Sequence, residues 1–437
     1  MKNITKYILP VLLFFVGTAI AQQTPAPPQD KAVSIVGATA HIGNGEVIEN
    51  SVIIFENGKL TTVTDVNSTN RQYPGTVIDA KGKHVYPGFI SPNSTLGLVE
   101  IDAVVQSDDE DELGELLPHV RSLIAYNAES QVVESMRPNG VLVGQITPRG
   151  GRISGTSSIV QFDAWNWEDA VLKEDDGLHI NWPNSVRRGR WWQGEDPGIK
   201  PNDDYSKDLE ELASFFRNAK AYLAGPMEKA NLPFQAMEDV FNGNKRVYIH
   251  ADSEKEIIDV LAFKKEHGLE KLVLVGGYDS FKIADQLKAA NVPVLVGRVH
   301  ETPQMEDQDY DLPYKLAYLL NQRGILVGLE SSGDMERMNS RNLPFYAGTV
   351  TGYGADKEEA LKMITSNTAK ILGVDDSLGT LEAGKDATLF ISDGDALDMR
   401  TNKVSKAFIQ GREISLESHQ TQLARRYTEK YGQQEKK

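Results

Sequence analysis

The chain has 437 residues, with 46 lysines and arginines against 62 aspartates and glutamates, and a formal net charge of −16. That balance argues against a nucleic-acid partner, which needs a basic face. The absence of cysteine excludes disulfides and thiolate zinc sites.

At the N-terminus, Lys2 and Lys6 precede the apolar run YILPVLLFFVGTAIA, which ends in the small-x-small triplet Ala19-Ile20-Ala21. Residues 1–21 read as a secretory signal cleaved after Ala21, too short and too weakly flanked for a membrane span. No cysteine stands at the cleavage point to carry a lipid. The expectation is a periplasmic or secreted protein without a stable membrane anchor.

Residues 22–86 hold short alternating runs, AVSIVGATAHIG and SVIIFENGKLTTVTDV, with a hairpin signal at Asn57-Gly58. The same texture returns over residues 376–411, in GTLEAGKDATLFISDGD and KVSKAFIQGREI. One small β-sandwich built from both ends of the chain accounts for the two stretches, and residues 412–437 follow as a tail. Between them, residues 87–375 change rhythm. RVYIHA, KLVLVGG, VPVLVGRV and ILVGLESS alternate with amphipathic segments, the first of which opens with a capping box at Ser253 and Glu256. Alternating apolar strands and helices predict a parallel sheet. Four such units, with NGVLVGQITP upstream, suit a (β/α)8 TIM-like barrel; an open doubly wound sheet fits the pattern too. A barrel of ~250 residues beside a small accessory domain also matches the length. Residues 163–215, rich in tryptophan and charge, read as a loop or lid packed on the barrel. The acidic run 107–115 reads as a solvated face, and the Gly- and Ser-rich segment 148–158 as a substrate-contacting loop.

Three stretches carry a family likeness: the β module leading into VYPGFI, the strand end YIHAD, and SNTAKILGVDDSLGTLEAGKDATLFISDGDAL. With Asn367, Ala369, Gly373, Gly379, Gly384 and Asp386 in the last of them, the chain resembles the amidohydrolase superfamily, in particular its periplasmic imidazolonepropionase-like and dipeptidase-like branch. The resemblance implies a (β/α)8 barrel with a composite β-sandwich, hydrolysis of amide, cyclic-amide or dipeptide C–N bonds, and a divalent metal, usually zinc.

The metal positions depart from the family pattern. Where the first barrel strand of the family ends in a His-x-His pair, this chain has Asn93 and Thr95. His250 matches the fifth-strand histidine, Gly276 stands at the sixth-strand histidine, and Glu330 replaces the eighth-strand aspartate. A fourth-strand ligand has no clear counterpart. Only His250 and Glu330 remain as candidate ligands or catalytic groups, and neutral Asn and Thr oxygens bind zinc poorly. Asn93 and Thr95 are expected to fill the vacated space and bond each other, and Asp252 to cap the helix beside Ser253. Glu330 is expected to be held by backbone amides or by an arginine such as Arg298. His300 belongs to the same end of the barrel. It either converges with His250 and Glu330 as an acid–base or shifted metal set, or is satisfied elsewhere. Two functions follow: a hydrolase with an atypical metal site, or a non-catalytic relative. The second would bind a peptide-like or amide ligand, or assemble with itself or an intact homologue.

Overall fold

The computed structural model describes residues 24–70, 72–189, 191–226, 229–333 and 335–432. The expected signal segment, 1–21, lies outside them. Strands β1 (Val33–His41), β2 (Val47–Glu56), β3 (Lys59–Asp65), β4 (Thr76–Asp79) and β5 (His84–Pro87) come from the start of the chain. The barrel strands are β6 (Phe89–Ser94), β7 (Val141–Ile146), β8 (Ile153–Gln161) and β9 (Val171–Asn181), then, after a hairpin of β10 (Val186–Arg188) and β11 (Ile199–Pro201), β12 (Arg246–Ala251), β13 (Leu272–Gly276), β14 (Val294–Val296) and β15 (Val327–Leu329). β16 (Leu389–Ser392), β17 (Val404–Ile409) and β18 (Arg412–Ile414) end the series.

One sheet joins the two chain ends in the order β18-β17-β16-β5-β1-β2-β3, with β4 alongside β1. It encloses its own core of Ile35, Ile53, Phe55, Leu60, Leu389 and Phe408. Residues 412–437, read as a tail, contribute β18 and a helix, His419–Lys430.

The second sheet is a nearly closed eight-stranded barrel, ordered β15-β14-β13-β12-β9-β8-β7-β6. Its two edge strands are bridged by one backbone corner. The Leu329 amide donates to the Met363 carbonyl, and the Ile90 amide to that of Ile364. The barrel is mixed, because β8 runs antiparallel to both β7 and β9. Residues 148–158, read as a loop, thus contain the start of an inward-facing strand. Likewise 163–215 contains β9 and the first half of a long helix, Tyr205–Ala224. β9 escapes sequence reading because its first half, VLKED, is polar and only partly buried, so no apolar run marks it.

Side-chain alternation sorts the barrel into two surfaces. Val247, Ile249, Leu272, Leu274 and Val294 face the surrounding helices, whereas Ile90, Val143, Tyr248, Val273 and Leu295 fill the lumen. The lumen has to admit one large ring, Tyr248, and β9 makes room with Gly177. A Cβ at 177 would lie 2.1 Å from Tyr248 Cε2. Beyond β12 the chain turns at once into the helix Glu254–His267, whose capping box pairs Ser253 with Glu256 and whose end is Gly268 at φ 71°. Ser253 alone is the cap, so the role expected for Asp252 falls away. Among the described residues no helix is long and apolar enough to cross a membrane.

Candidate functional site

The C-terminal ends of the parallel barrel strands converge on a polar centre, the end where barrels of this kind carry their sites. β6 brings Asn93, β9 His179, β12 His250 and β13 Gly276, and Glu330 follows β15 directly. The same alternation that sends Tyr248 inward sends His250 inward two residues later. β9 and β12 are in register, with Tyr248 opposite His179 and His250 opposite Asn181. The Tyr248 and His179 rings stack at 4.6 Å.

One half of the centre is a chain of hydrogen bonds. His250 Nε2 and His179 Nδ1 are 3.0 Å apart, and His179 Nε2 lies 2.9 Å from Ser157 Oγ. Ser157 Oγ donates to Asp176 Oδ1 at 2.7 Å. Tyr248 Oη and Gln145 Nε2 donate to Asp176 Oδ2 at 2.8 and 2.9 Å. The Ser157 proton is committed to Asp176, so His179 donates from Nε2. Its bare Nδ1 accepts from His250 Nε2, which leaves His250 Nδ1 as an acceptor. Burial, aided by the nearby Arg149 charge, lowers both imidazoles, His250 to about 3 and His179 well below 6.5. Both are therefore neutral at ordinary pH. Burial raises the Asp176 carboxyl, and the hydrogen bonds from Ser157, Tyr248 and Gln145 oppose that rise.

The other half centres on Arg149. Its guanidinium donates to Asn93 Oδ1 at 2.8 Å, the Asn93 carbonyl at 2.9 Å and Glu336 Oε2 at 2.7 Å. Asn93 has φ 50°, a left-handed conformation that asparagine adopts more readily than most residues. Its side-chain and main-chain oxygens both serve the one guanidinium. The Asn93 amide group donates on to Glu330 Oε2 at 3.3 Å. Glu330, 1% exposed, also accepts from the Ser332 amide at 2.6 Å and the Ser332 hydroxyl at 2.7 Å. Burial raises its carboxyl to about 7. Glu336 receives the Thr95 amide at 2.6 Å and the Thr95 hydroxyl at 3.3 Å, and the Asn93 amide joins the two halves by donating to Gln145 Oε1 at 2.9 Å.

Several expectations change. Asn93 and Thr95 do not bond each other; each is tied to a carboxylate and an arginine, Thr95 through Arg337. Glu330 is held by one of the two expected kinds of partner, the neighbouring Ser332 backbone amide, together with the Ser332 hydroxyl and Asn93, whereas Arg298 reaches the Ser331 carbonyl instead. Asp252 accepts from the Tyr278 amide and Gln304, and a Cβ at Gly276 would lie 2.5 Å from its Oδ1. His300 does not join the centre. Its Nε2 is 2.7 Å from Thr349 Oγ1, and its ring packs edge-on against Tyr346. Among the described residues no three histidine, aspartate or glutamate side chains gather as metal ligands. The sequence reading missed His179, Arg149, Glu336 and Asp176. The alternation of LHIN in the second half of β9 is the one signal that could have found His179.

A nearly closed eight-stranded barrel with its polar groups at the C-terminal strand ends is the architecture of a TIM barrel. Residues 319–414 match the family model described as the amidohydrolase family. Among solved structures, an amidohydrolase from Thermotoga maritima MSB8 is 24% identical, with TM-score 0.75 over 87% of this chain and 99% of that one. A molinate hydrolase gives 13% identity and TM-score 0.52, over 89% and 96% of the two chains. For an Xaa-Pro dipeptidase with bound methionine the values are 13% and 0.53, over 87% and 99%. No curated protein matches. The match over residues 319–414 supports the amidohydrolase superfamily, and the solved structures share the barrel fold.

Proposed function

We propose that this chain is an exported hydrolase of the amidohydrolase type. It would cleave the C–N bond of a small amide, cyclic amide or dipeptide, with Glu330 as the proton-transfer group. The observation that carries the reading is Glu330 itself, a buried carboxyl just past the last barrel strand and held near 7. Such a group accepts and returns a proton readily at neutral pH. In this scheme Glu330 takes a proton from water as the water oxygen bonds to the carbonyl carbon. The C–N bond then breaks, and the proton passes to the departing amine. The fixed charge of Arg149 opposes the negative charge growing on the carbonyl oxygen, and neutral His250 offers Nδ1 to a substrate N–H.

The residues present do not fit a catalytic zinc. Such a zinc takes three nitrogen or carboxylate ligands. Here the two imidazoles are bonded to each other, Gly276 offers no side chain, and Asn93 and Thr95 provide neutral oxygens.

The test is hydrolysis of a panel of dipeptides and N-acyl amino acids by wild type and Glu330→Gln. The wild-type rate should rise with pH through about 7, as the carboxyl becomes a base. The variant should lose roughly 10²–10⁴-fold with an unchanged circular dichroism spectrum. A wild type inert across the panel sinks the hydrolase reading. It would favour a second one, supported by the closure of His179 on His250: a non-catalytic relative that binds a peptide-like ligand or pairs with an intact homologue. That protein would co-purify with such a homologue from native cells at a fixed ratio.

A further inference from the structure

The centre holds two carboxylates linked through one asparagine and one guanidinium: Glu330 accepts from Asn93, Asn93 accepts from Arg149, and Arg149 donates to Glu336. Around the guanidinium stand Asn93 Oδ1, the Asn93 carbonyl and Glu336 Oε2, all within 2.9 Å. The Thr95 hydroxyl shares Glu336. These donors are hard oxygens of the kind that hold magnesium, manganese or calcium. The group they enclose is an arginine fork, planar and permanently charged.

We infer that Arg149 is the resident cation of the barrel centre, its guanidinium holding the place and the charge that a divalent ion would otherwise take. The inference builds on the proposed reading that the centre does not work through zinc. The route to the position is built into the chain. β7 ends at Ile146, and Arg149 leaves the barrel wall three residues later, just before Gly150 at φ 76° and Gly151 at φ 56°. That turn folds against residues 110–115, with the Arg149 amide bonded to the Glu110 carbonyl at 2.6 Å. The Arg149 backbone is thereby anchored while its side chain reaches Asn93 and Glu336. The other wall is set by Met335, at φ 58°, from which the next residue, Glu336, reaches Thr95 and Arg149.

Two consequences separate this arrangement from an ordinary surface ion pair. Removing the guanidinium deprives Glu336 of its direct ion-pair partner and leaves it and Glu330 repelling each other, with Arg337 on the Thr95 hydroxyl as the nearest remaining cation, so that each raises the other's affinity for a cation. It also leaves Asn93 Oδ1 and the Asn93 carbonyl without their donor. An oxygen-lined site for a hard divalent ion is then uncovered, one that the native side chain fills.

The experiment compares wild type, Arg149→Ala, Arg149→Lys and the double variant Arg149→Ala/Glu330→Gln. All are purified without chelator or nickel, and melted in EDTA, magnesium, manganese and zinc, with metal content read by mass spectrometry. Wild type and Arg149→Lys should carry no stoichiometric metal and melt at the same temperature in every buffer. Arg149→Ala should melt several degrees lower in EDTA, regain much of that loss in manganese or magnesium, and hold close to one ion per chain. The double variant should lose the response. Wild type that carries one metal per chain and is destabilised by EDTA overturns the inference, and so does an Arg149→Ala protein indifferent to metals. Should Arg149→Ala fail to accumulate, the wild-type and Arg149→Lys measurements decide alone, since stoichiometric metal in either one refutes it. Metal content is read independently of turnover, so an inactive wild type counts against the hydrolase reading and leaves this one standing.

Discussion

Replacing Tyr248 by phenylalanine deletes one oxygen from the most enclosed part of the barrel. The Tyr248 hydroxyl donates at 2.8 Å to Asp176 Oδ2, which also receives Gln145 at 2.9 Å, while Ser157 serves Oδ1 at 2.7 Å. The ring is fully buried and stays in place against Gly177 and His179 in the variant, so the packing term is unchanged. What is lost is a hydrogen bond to a charged acceptor, about 1.5–3 kcal/mol. Asp176 keeps two of its three donors, which puts the expected loss toward the lower end of that range. The assay is urea unfolding followed by tryptophan fluorescence, with the midpoint shift read at constant slope. An Asp176→Asn background supplies the cycle. There the amide's acceptor oxygen is weaker, so the same Tyr248→Phe change should cost less, with a coupling of about 1 kcal/mol. A single-variant loss under ~0.5 kcal/mol would refute the reasoning. It would mean that the Asp176 carboxylate is not what holds this network together.

The remaining predictions concern pH and space. Glu330 has a folded value of about 7 against an ordinary 4.5, so between those values the folded chain binds more protons than the unfolded one. Stability contributed by this group is therefore present below pH ~4.5 and declines as pH rises through 7, by about 3 kcal/mol in all. Urea midpoints of wild type and Glu330→Gln, compared from pH 5 to 8, should diverge in the variant's favour as pH rises; parallel curves would show that Glu330 titrates normally. Gly177→Ala puts a methyl 2.1 Å from Tyr248 Cε2, and overpacking of this kind costs about 1–3 kcal/mol or more. A Gly177→Ala/Tyr248→Leu double variant should recover part of the loss, and no recovery would show that the conflict lies with the backbone instead.

The parts of the fold legible in the sequence are those where one periodicity runs unbroken. β12 through β15 are short β-branched runs followed by amphipathic helices, and Ser253 with Glu256 marks a helix start that the structure contains. The first half of the barrel is harder to read, because β8 is antiparallel and β9 enters the barrel through the polar residues Lys173, Glu174 and Asp175. Those residues suit a strand whose outer end is wet, yet on the page they look like a loop.

The candidate centre divides along the same line, and this bears on what a substituted motif can mean. Asn93, Gly276 and Glu330 were visible because each stands where a family pattern expects something else. Such a pattern reports which positions differ and nothing of what partners the residues found there. The other groups of the centre come from places the pattern does not cover: His179 from the strand that does not look like one, Arg149 from a Gly-flanked turn, and Glu336 from the segment after β15. A buried asparagine and a buried glutamate cannot be left without partners in a barrel lumen. Buried Asn93 and Glu330 therefore require donors within about 3 Å, and Arg149 and Ser332 are those donors. The physical rule that buried polar groups are satisfied turns a list of missing ligands into a search for new partners. Here that search ends on a fixed positive charge at the mouth of the barrel.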